Sequence, residues 1–137
     1  MNEDFITFEI AKKLKEKGFN CELPYAMYNE IGQFCLLTTS APYHVCESGY
    51  KYREYYDYND FDKNDFIAPT ISQVLKWLRN QNIYVEVVVD DDSEEPLTYN
   101  IHVNNECVLH HHGEYFSLKD WTKCELAGIE YVIDNLI

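Results

Sequence analysis

Apolar residues recur at helical spacing most clearly in residues 70–79. The apolar side chains there follow the i, i+3, i+4, i+7 pattern, which predicts a short helix with one buried stripe, formed by Ile71, Val74, Leu75 and Leu78. Thr70 is placed to cap this helix, and Gln73 is placed to complete a capping box. Pro69 disfavours helix at the residue before it, so we expect a sharp start.

Two further helices are expected near the two ends of the sequence. Residues 4–17 predict a first helix that Asp4 caps and Gly18 ends, with a buried side of Ile6, Thr7, Ile10, Ala11 and Leu14. Ser117 and Asp120 are expected to cap the last helix, whose stripe holds Trp121, Cys124, Gly128, Ile129, Val132, Ile133 and Leu136. A glycine within that stripe indicates that the helix closely approaches the sheet or another helix.

Elsewhere the apolar spacing is typical of strands. Residues 25–28 and 34–38 predict a hairpin with Gly32 in its turn. A second hairpin is predicted by strict alternation on both sides of an acidic turn at 90–96, in Ile83, Val85, Val87, Val89, Leu97, Tyr99, Ile101 and Val103. A third strand is expected over residues 107–112. Residues 40–66 are the least regular and predict a long loop, with a partial strand where its tyrosines share one parity.

These elements predict an α+β fold. We expect one antiparallel sheet of about four to five strands packed by three helices, in the order α-ββ-loop-α-ββ(β)-α. A length of 137 residues suits a single domain over residues 1–137, and a hydrophobic content of 46% excludes a disordered chain. No apolar run reaches the length of a membrane span, and the acidic start is unlike a secretory signal, so we expect no membrane and a cytoplasmic location.

The net charge of −13 is the most unusual property of the composition, and it restricts the kinds of partner that we expect. Residues 83–100 carry six acids and no Lys or Arg, which indicates either a solvated surface or a docking surface for a basic partner. Residues 70–137 follow the element order of a double-stranded RNA-binding domain, but they hold twelve acids against four Lys or Arg. Binding to phosphates depends on basic side chains, so we expect no nucleic-acid partner.

The candidate metal chemistry is incomplete. Cys107, His110 and His112 are weak candidates for a zinc site, to which His44 and Cys46 could add ligands, but the spacings are not those of structural zinc pairs. Residues 60–64 copy the first half of a calcium loop that lacks its glycine and its closing glutamate. The five cysteines form no CxxC pair and are expected to be reduced thiols. With no catalytic motif or phosphate loop, we predict no cofactor and no enzyme.

The tyrosines of the 40–66 segment are the candidate recognition surface. Tyrosine offers a large contact area at low entropic cost, which favours partner binding by Tyr50, Tyr52, Tyr55, Tyr56 and Tyr58. The alternative is that these tyrosines only cover the sheet.

Three segments carry a resemblance to a known group of proteins: residues 14–19 (LKEKGF), 68–79 (APTISQVLKWLR) and 127–136 (AGIEYVIDNL). With these segments the chain resembles small proteins of bacteriophages and mobile elements in Bacteroides-type gut bacteria, a family without an established activity. The resemblance implies an accessory protein in the cytoplasm of a bacterial host, and it brings no catalytic residues.

Three hypotheses follow. The first is a non-enzymatic protein-interaction module that binds a protein partner through the tyrosine-rich segment and the acidic surface. The second is an acidic inhibitor that mimics nucleic acid toward a basic host protein. The third is a metal-binding enzyme that uses the Cys107, His110 and His112 region.

Overall fold

The computed structural model describes residues 5–20, 25–36, 43–46, 49–52, 64–90, 94–111 and 113–137, with the backbone alone for residues 43–46 and 49–52. The chain divides into two compact units, Phe5–Thr70 and Ile71–Ile137. A single domain means that residues 1–137 fold together as one unit. The division into two compact units does not test this, so the single domain stays a prediction. Among the described residues, no helix is both long and apolar enough to cross a membrane.

The first unit begins with helix α1, Phe8–Glu16. The predicted start at Asp4 is wrong, because Thr7 has an extended backbone and its side chain accepts the N–H of Ile10 at 3.3 Å, which makes Thr7 the cap. Asp4 itself lies outside the described residues. The helix stops at Glu16, and Gly18, the predicted terminating residue, follows the C-cap Lys17 with a φ of +81°, in the left-handed region that favours glycine.

Five short strands form one antiparallel sheet in this unit: β1 Ala26–Tyr28, β2 Phe34–Leu36, β3 Tyr43–Cys46, β4 Gly49–Tyr52 and β5 Phe66–Ile67. Their order is β4-β3-β2-β1-β5. The hairpin of β1 and β2 is confirmed, with Gly32 at a φ of +88° in its turn. The partial strand predicted at the tyrosines of residues 40–66 corresponds to β4, which contains Tyr50 and Tyr52. The predicted loop is wrong at β3 and at Phe66, the first residue of β5. Pairing with neighbouring strands forms these elements, and local apolar alternation does not report such pairing.

A cluster of aromatic rings holds α1 against this sheet. The ring centroids lie 5.1 Å apart for Phe5 and Phe34, 5.4 Å for Tyr28 and Phe34, and 5.4 Å for Phe8 and Tyr28. The Tyr28 hydroxyl donates to the carbonyl of Ile6 at 2.6 Å, so the polar end of this buried ring is satisfied.

Two lysines of α1 lie over aromatic rings of the same unit. The ammonium of Lys12 lies 4.6 Å from the centre of the Phe8 ring, and that of Lys15 lies 4.8 Å from the Phe66 ring. Lys15 also donates to the carbonyl of Asp65 at 2.9 Å. These two lysines therefore contribute to packing within the unit.

The second unit contains helix α2 (Ile71–Arg79), strands β6 (Ile83–Val89), β7 (Leu97–Val103) and β8 (Glu106–Leu109), and helix α3 (Trp121–Asn135). The sheet is antiparallel in the order β6-β7-β8. The predictions of α2, β6 and β7 are confirmed, as are three helices and the α+β class. The single sheet of four to five strands and the predicted element order are wrong, because the strands divide between a five-stranded and a three-stranded sheet.

Two boundaries in this unit also differ from the prediction. Strand β8 stops at Leu109, and His111 has a φ of +49°, in the left-handed region outside strand geometry. The predicted strand over residues 107–112 is therefore wrong at His110 and His111. Helix α3 starts at Trp121 after a 3-10 turn, Leu118–Asp120. The Ser117 hydroxyl donates to the carboxylate of Asp120 at 3.0 Å instead of capping the helix.

Candidate functional site

The β6–β7–β8 sheet has one face covered by helices and one polar face. Helix α3 contacts the first face so closely that a Cβ on Gly128 would lie 2.5 Å from Cγ1 of Val85 and 3.4 Å from the Tyr99 ring. Side chains alternate along a strand, so the opposite face carries the intervening residues, Tyr84, Glu86, Val88, Thr98, Asn100 and His102. This second set is called the polar face below.

A hydrogen-bonded group occupies the middle of the polar face. The amide of Asn100, which is 7% exposed, donates to Oε1 of Glu86 at 3.1 Å. Nε2 of His102 lies 3.1 Å from the same oxygen, and it donates there because an ionised carboxylate only accepts. The hydrogen bonds from His102 and from Asn100 hold the pKa of Glu86 below its ordinary value of 4.5. Glu86 is therefore an anchored anion on this face.

The segment 110–115 folds over this face between two points of pairing. Leu109 pairs with Ile101, and Phe116 bridges to Leu97, so the chain has six sequence positions between these two pairs where β7 has only three. The Asn100 side chain accepts the N–H of His111 at 2.7 Å, and the Thr98 hydroxyl donates to the carbonyl of Glu114 at 3.1 Å. The covering segment explains why two polar residues of β7, Thr98 and Asn100, are buried.

The same segment reaches the end of β6 at Asp90. The Tyr115 hydroxyl donates to Oδ2 of Asp90 at 3.0 Å, and Nδ1 of His111 lies 3.4 Å from Oδ1. Asp90 and Glu86 thus each face a histidine from a different part of the chain. The arrangement links β6, β7 and the covering segment through carboxylates that are held in place.

The structure does not assemble the candidate zinc ligands as far as they are described. Cys107 donates to the carbonyl of Leu109 at 3.3 Å, and the rings of His110 and His111 stack at 3.9 Å. No group of three or more His, Cys, Asp or Glu side chains among the described residues could hold a metal ion. His112 lies outside those residues, so its contribution stays untested.

The candidate tyrosines fall only partly within the described chain. Tyr50 and Tyr52 belong to strand β4, where they pair with Val45 and Tyr43. The other three, Tyr55, Tyr56 and Tyr58, lie outside the described residues. Partner binding by these tyrosines stays a prediction.

Sequence reasoning missed the Glu86, Asn100 and His102 group. A signal was available, since these polar residues occupy the positions between the apolar residues of β6 and β7. Alternation alone cannot distinguish a solvated face from a face covered by another segment. Residues 110–112 of the covering segment are moreover predicted as part of the third strand.

The charge around this sheet is of one sign. Between Arg79 and Lys119 the chain holds eight acids and no Lys or Arg. Six of these acids are described, and all six are exposed: Glu86, Asp90, Glu94, Glu95, Glu106 and Glu114. We call residues 80–118 the acidic sheet region.

Comparison of the chain with protein-family models, curated proteins and solved structures finds no match.

Proposed function

We propose that the chain is a non-enzymatic protein-interaction module that recognises a basic protein partner. The observation that carries this proposal is the acidic sheet region, with eight acids and no Lys or Arg across residues 80–118. A surface of one sign attracts a partner of opposite sign, raises the rate of encounter and disfavours acidic competitors.

The anchored carboxylates support specific recognition. Glu86 is held by His102 and Asn100, and Asp90 is held by Tyr115. A carboxylate that is already held in position loses less side-chain entropy when a lysine or arginine of a partner binds it. A merely solvated surface needs no such positioning.

Two expectations from the sequence are also part of this proposal: the tyrosine-rich contact surface and the role as an accessory protein. The tyrosine-rich segment, with Tyr50, Tyr52, Tyr55, Tyr56 and Tyr58, is proposed as a second contact surface, because tyrosines supply contact area that carboxylates lack. The resemblance to bacteriophage and mobile-element proteins supports a role as an accessory protein in the cytoplasm of a bacterial host.

The test is affinity capture from bacterial lysate with the immobilised chain at low and high salt, followed by identification of the bound proteins. Glu94→Gln/Glu95→Gln neutralises two exposed acids of the acidic sheet region, and Glu9→Gln/Glu16→Gln, the matched control, neutralises two exposed acids of α1. Both variants change the net charge equally. We expect a basic protein to be captured, and to be lost with the first variant only. Equal loss with both variants, or capture of acidic proteins only, contradicts the proposal.

A second candidate function is favoured by the same charge. An acidic protein of net charge −13 can occupy the nucleic-acid site of a basic host protein. Duplex DNA added to the captured complex distinguishes the two functions. Release of the partner by DNA supports the mimic, and retention supports recognition of another surface.

A further inference from the structure

The outer edge of β6 carries backbone groups that point away from the sheet. The N–H of Asn104 bonds the carbonyl of Asn82 at 2.9 Å, and the N–H of Asp90 bonds the carbonyl of Pro96 at 2.8 Å. Hydrogen-bonded positions alternate along an antiparallel pair, so the even-numbered residues 82–90 bond β7. The N–H and C=O groups of Val85, Val87 and Val89 therefore face outward.

No strand in the described part of the chain pairs with that edge, since β6 is the terminal strand of its sheet. Proteins usually protect such an edge with a proline, a lysine or a bulge. Strand β6 has the sequence IYVEVVV, without any of these residues, and its ladder with β7 is regular. Its single charge, Glu86, is turned toward Asn100 and His102. The edge is thus suited to accept another strand.

The two faces beside this edge differ in chemistry. The helix-covered face presents Val85 and Val87, both half-buried, and Val89, which is 61% exposed. The polar face presents Glu86 and, at the end of the strand, Asp90. Side chains of an added strand alternate in the same way as those of β6. A strand with apolar residues on one face and basic residues on the other would match both faces.

We infer that the free edge of β6 is a docking strand for an extended segment of a protein partner whose side chains alternate between apolar and basic. The segment extends the sheet through main-chain hydrogen bonds with Val85, Val87 and Val89. Its apolar residues lie beside the valines, and its basic residues lie beside Glu86 and Asp90. This inference rests on the proposed function, and it specifies how the basic partner binds.

The probe is a synthetic peptide of alternating valine and lysine with the seven-residue length of β6. Its control has the same sequence with every peptide nitrogen methylated, which keeps the charge and removes the donors. Loss of two or three main-chain hydrogen bonds is expected to weaken binding by roughly tenfold or more. Equal binding of both peptides to the full chain overturns strand addition, while salt-sensitive binding of both still supports recognition of a basic partner.

Amide hydrogen exchange on the full chain locates the peptide. In the free protein we expect slow exchange at Tyr84, Glu86 and Val88 and faster exchange at Val85, Val87 and Val89. The peptide should protect these three valine amides. Protection at residues 106–109 of β8 instead, or at none of these residues, overturns the inference.

A pair of variants provides the matched control. Val89→Lys places a positive charge at the proposed edge, and Val108→Lys places the same charge on β8, where the valine is 50% exposed. We expect Val89→Lys to weaken peptide binding by roughly tenfold, and Val108→Lys to change it much less. Thermal melting verifies that both variants fold. Equal weakening by the two folded variants contradicts a site on β6.

Discussion

Gly128 of α3 lies directly against Val85 of β6, with room for no further atom between them. A Cβ at Gly128 would approach Cγ1 of Val85 to 2.5 Å, well inside ordinary contact. Gly128 is fully buried in the middle of a 15-residue helix, where glycine costs about 1 kcal/mol relative to alanine. The close approach explains why the helix tolerates that cost, and it brings α3 onto the sheet that carries the polar face.

We therefore expect Gly128→Ala to destabilise the protein despite the gain in helix propensity. Overpacking of a core costs about 1–3 kcal/mol, which exceeds the propensity gain of about 1 kcal/mol. The measurement is the free energy of unfolding in urea. In a Val85→Ala background the clash is removed, so the same glycine substitution should stabilise the chain. A stabilising effect of Gly128→Ala in both backgrounds contradicts the close contact.

Asn100 is expected to be the polar residue on which the covering segment most depends. Asn100→Ala leaves the N–H of His111 and the carboxylate of Glu86 without their Asn100 hydrogen bonds, which should cost about 1–3 kcal/mol of unfolding free energy. Asn80 is exposed, and Asn80→Ala is the control, with an expected change within about 0.5 kcal/mol. Similar small changes for both variants would show that the network does not hold the segment.

The lowered pKa of Glu86 predicts a specific pH dependence. A carboxyl group whose pKa is lower in the folded state stabilises the fold above its unfolded pKa and loses that contribution as pH falls through its folded pKa. The stability of the native chain should therefore decline below about pH 4.5, the ordinary carboxyl value. Glu86→Gln cannot ionise at this position, so its unfolding free energy should fall less between neutral and acid pH. Parallel curves for the two proteins would assign the acid sensitivity to other carboxylates.

The described free cysteines should differ sharply in reactivity. Burial, with smaller effects of Glu125 and Glu114, raises the pKa of the Cys124 thiol to about 11, whereas Cys107 is exposed. The thiolate is the reactive form, so iodoacetamide at mildly alkaline pH should modify Cys107 well before Cys124. Peptide mapping by mass spectrometry gives the two rates. Equal rates would mean that Cys124 is not held in the core of the folded chain.

The tyrosine-rich segment is tested by Tyr55→Ala/Tyr56→Ala. We expect weaker binding of the captured basic partner with little change in melting temperature, because a surface contact contributes to binding and not to the core. Tyr25 is 53% exposed, and Tyr25→Ala is the control for loss of a surface ring. A large drop in melting temperature for the double variant would indicate instead that these tyrosines cover the sheet.

Local patterns in the sequence determined α2, β6, β7 and the close approach at Gly128. Each of these depends on the spacing of apolar residues within one element, and burial of one face imposes that spacing directly. The acidic sheet region was also visible, since charge can be counted without a fold. These features needed no knowledge of which elements become neighbours.

Only the tertiary structure decided how the strands pair and what covers them. The division into two sheets, the pairing of the strands within residues 40–66 and the hydrogen bond from His111 to Asn100 all depend on contacts between different elements. Apolar alternation reports that a strand has a buried face, but not which neighbour it pairs with or which edge stays free. The edge of β6 that no described strand pairs with and the anchored carboxylate of Glu86 arise from those long-range contacts.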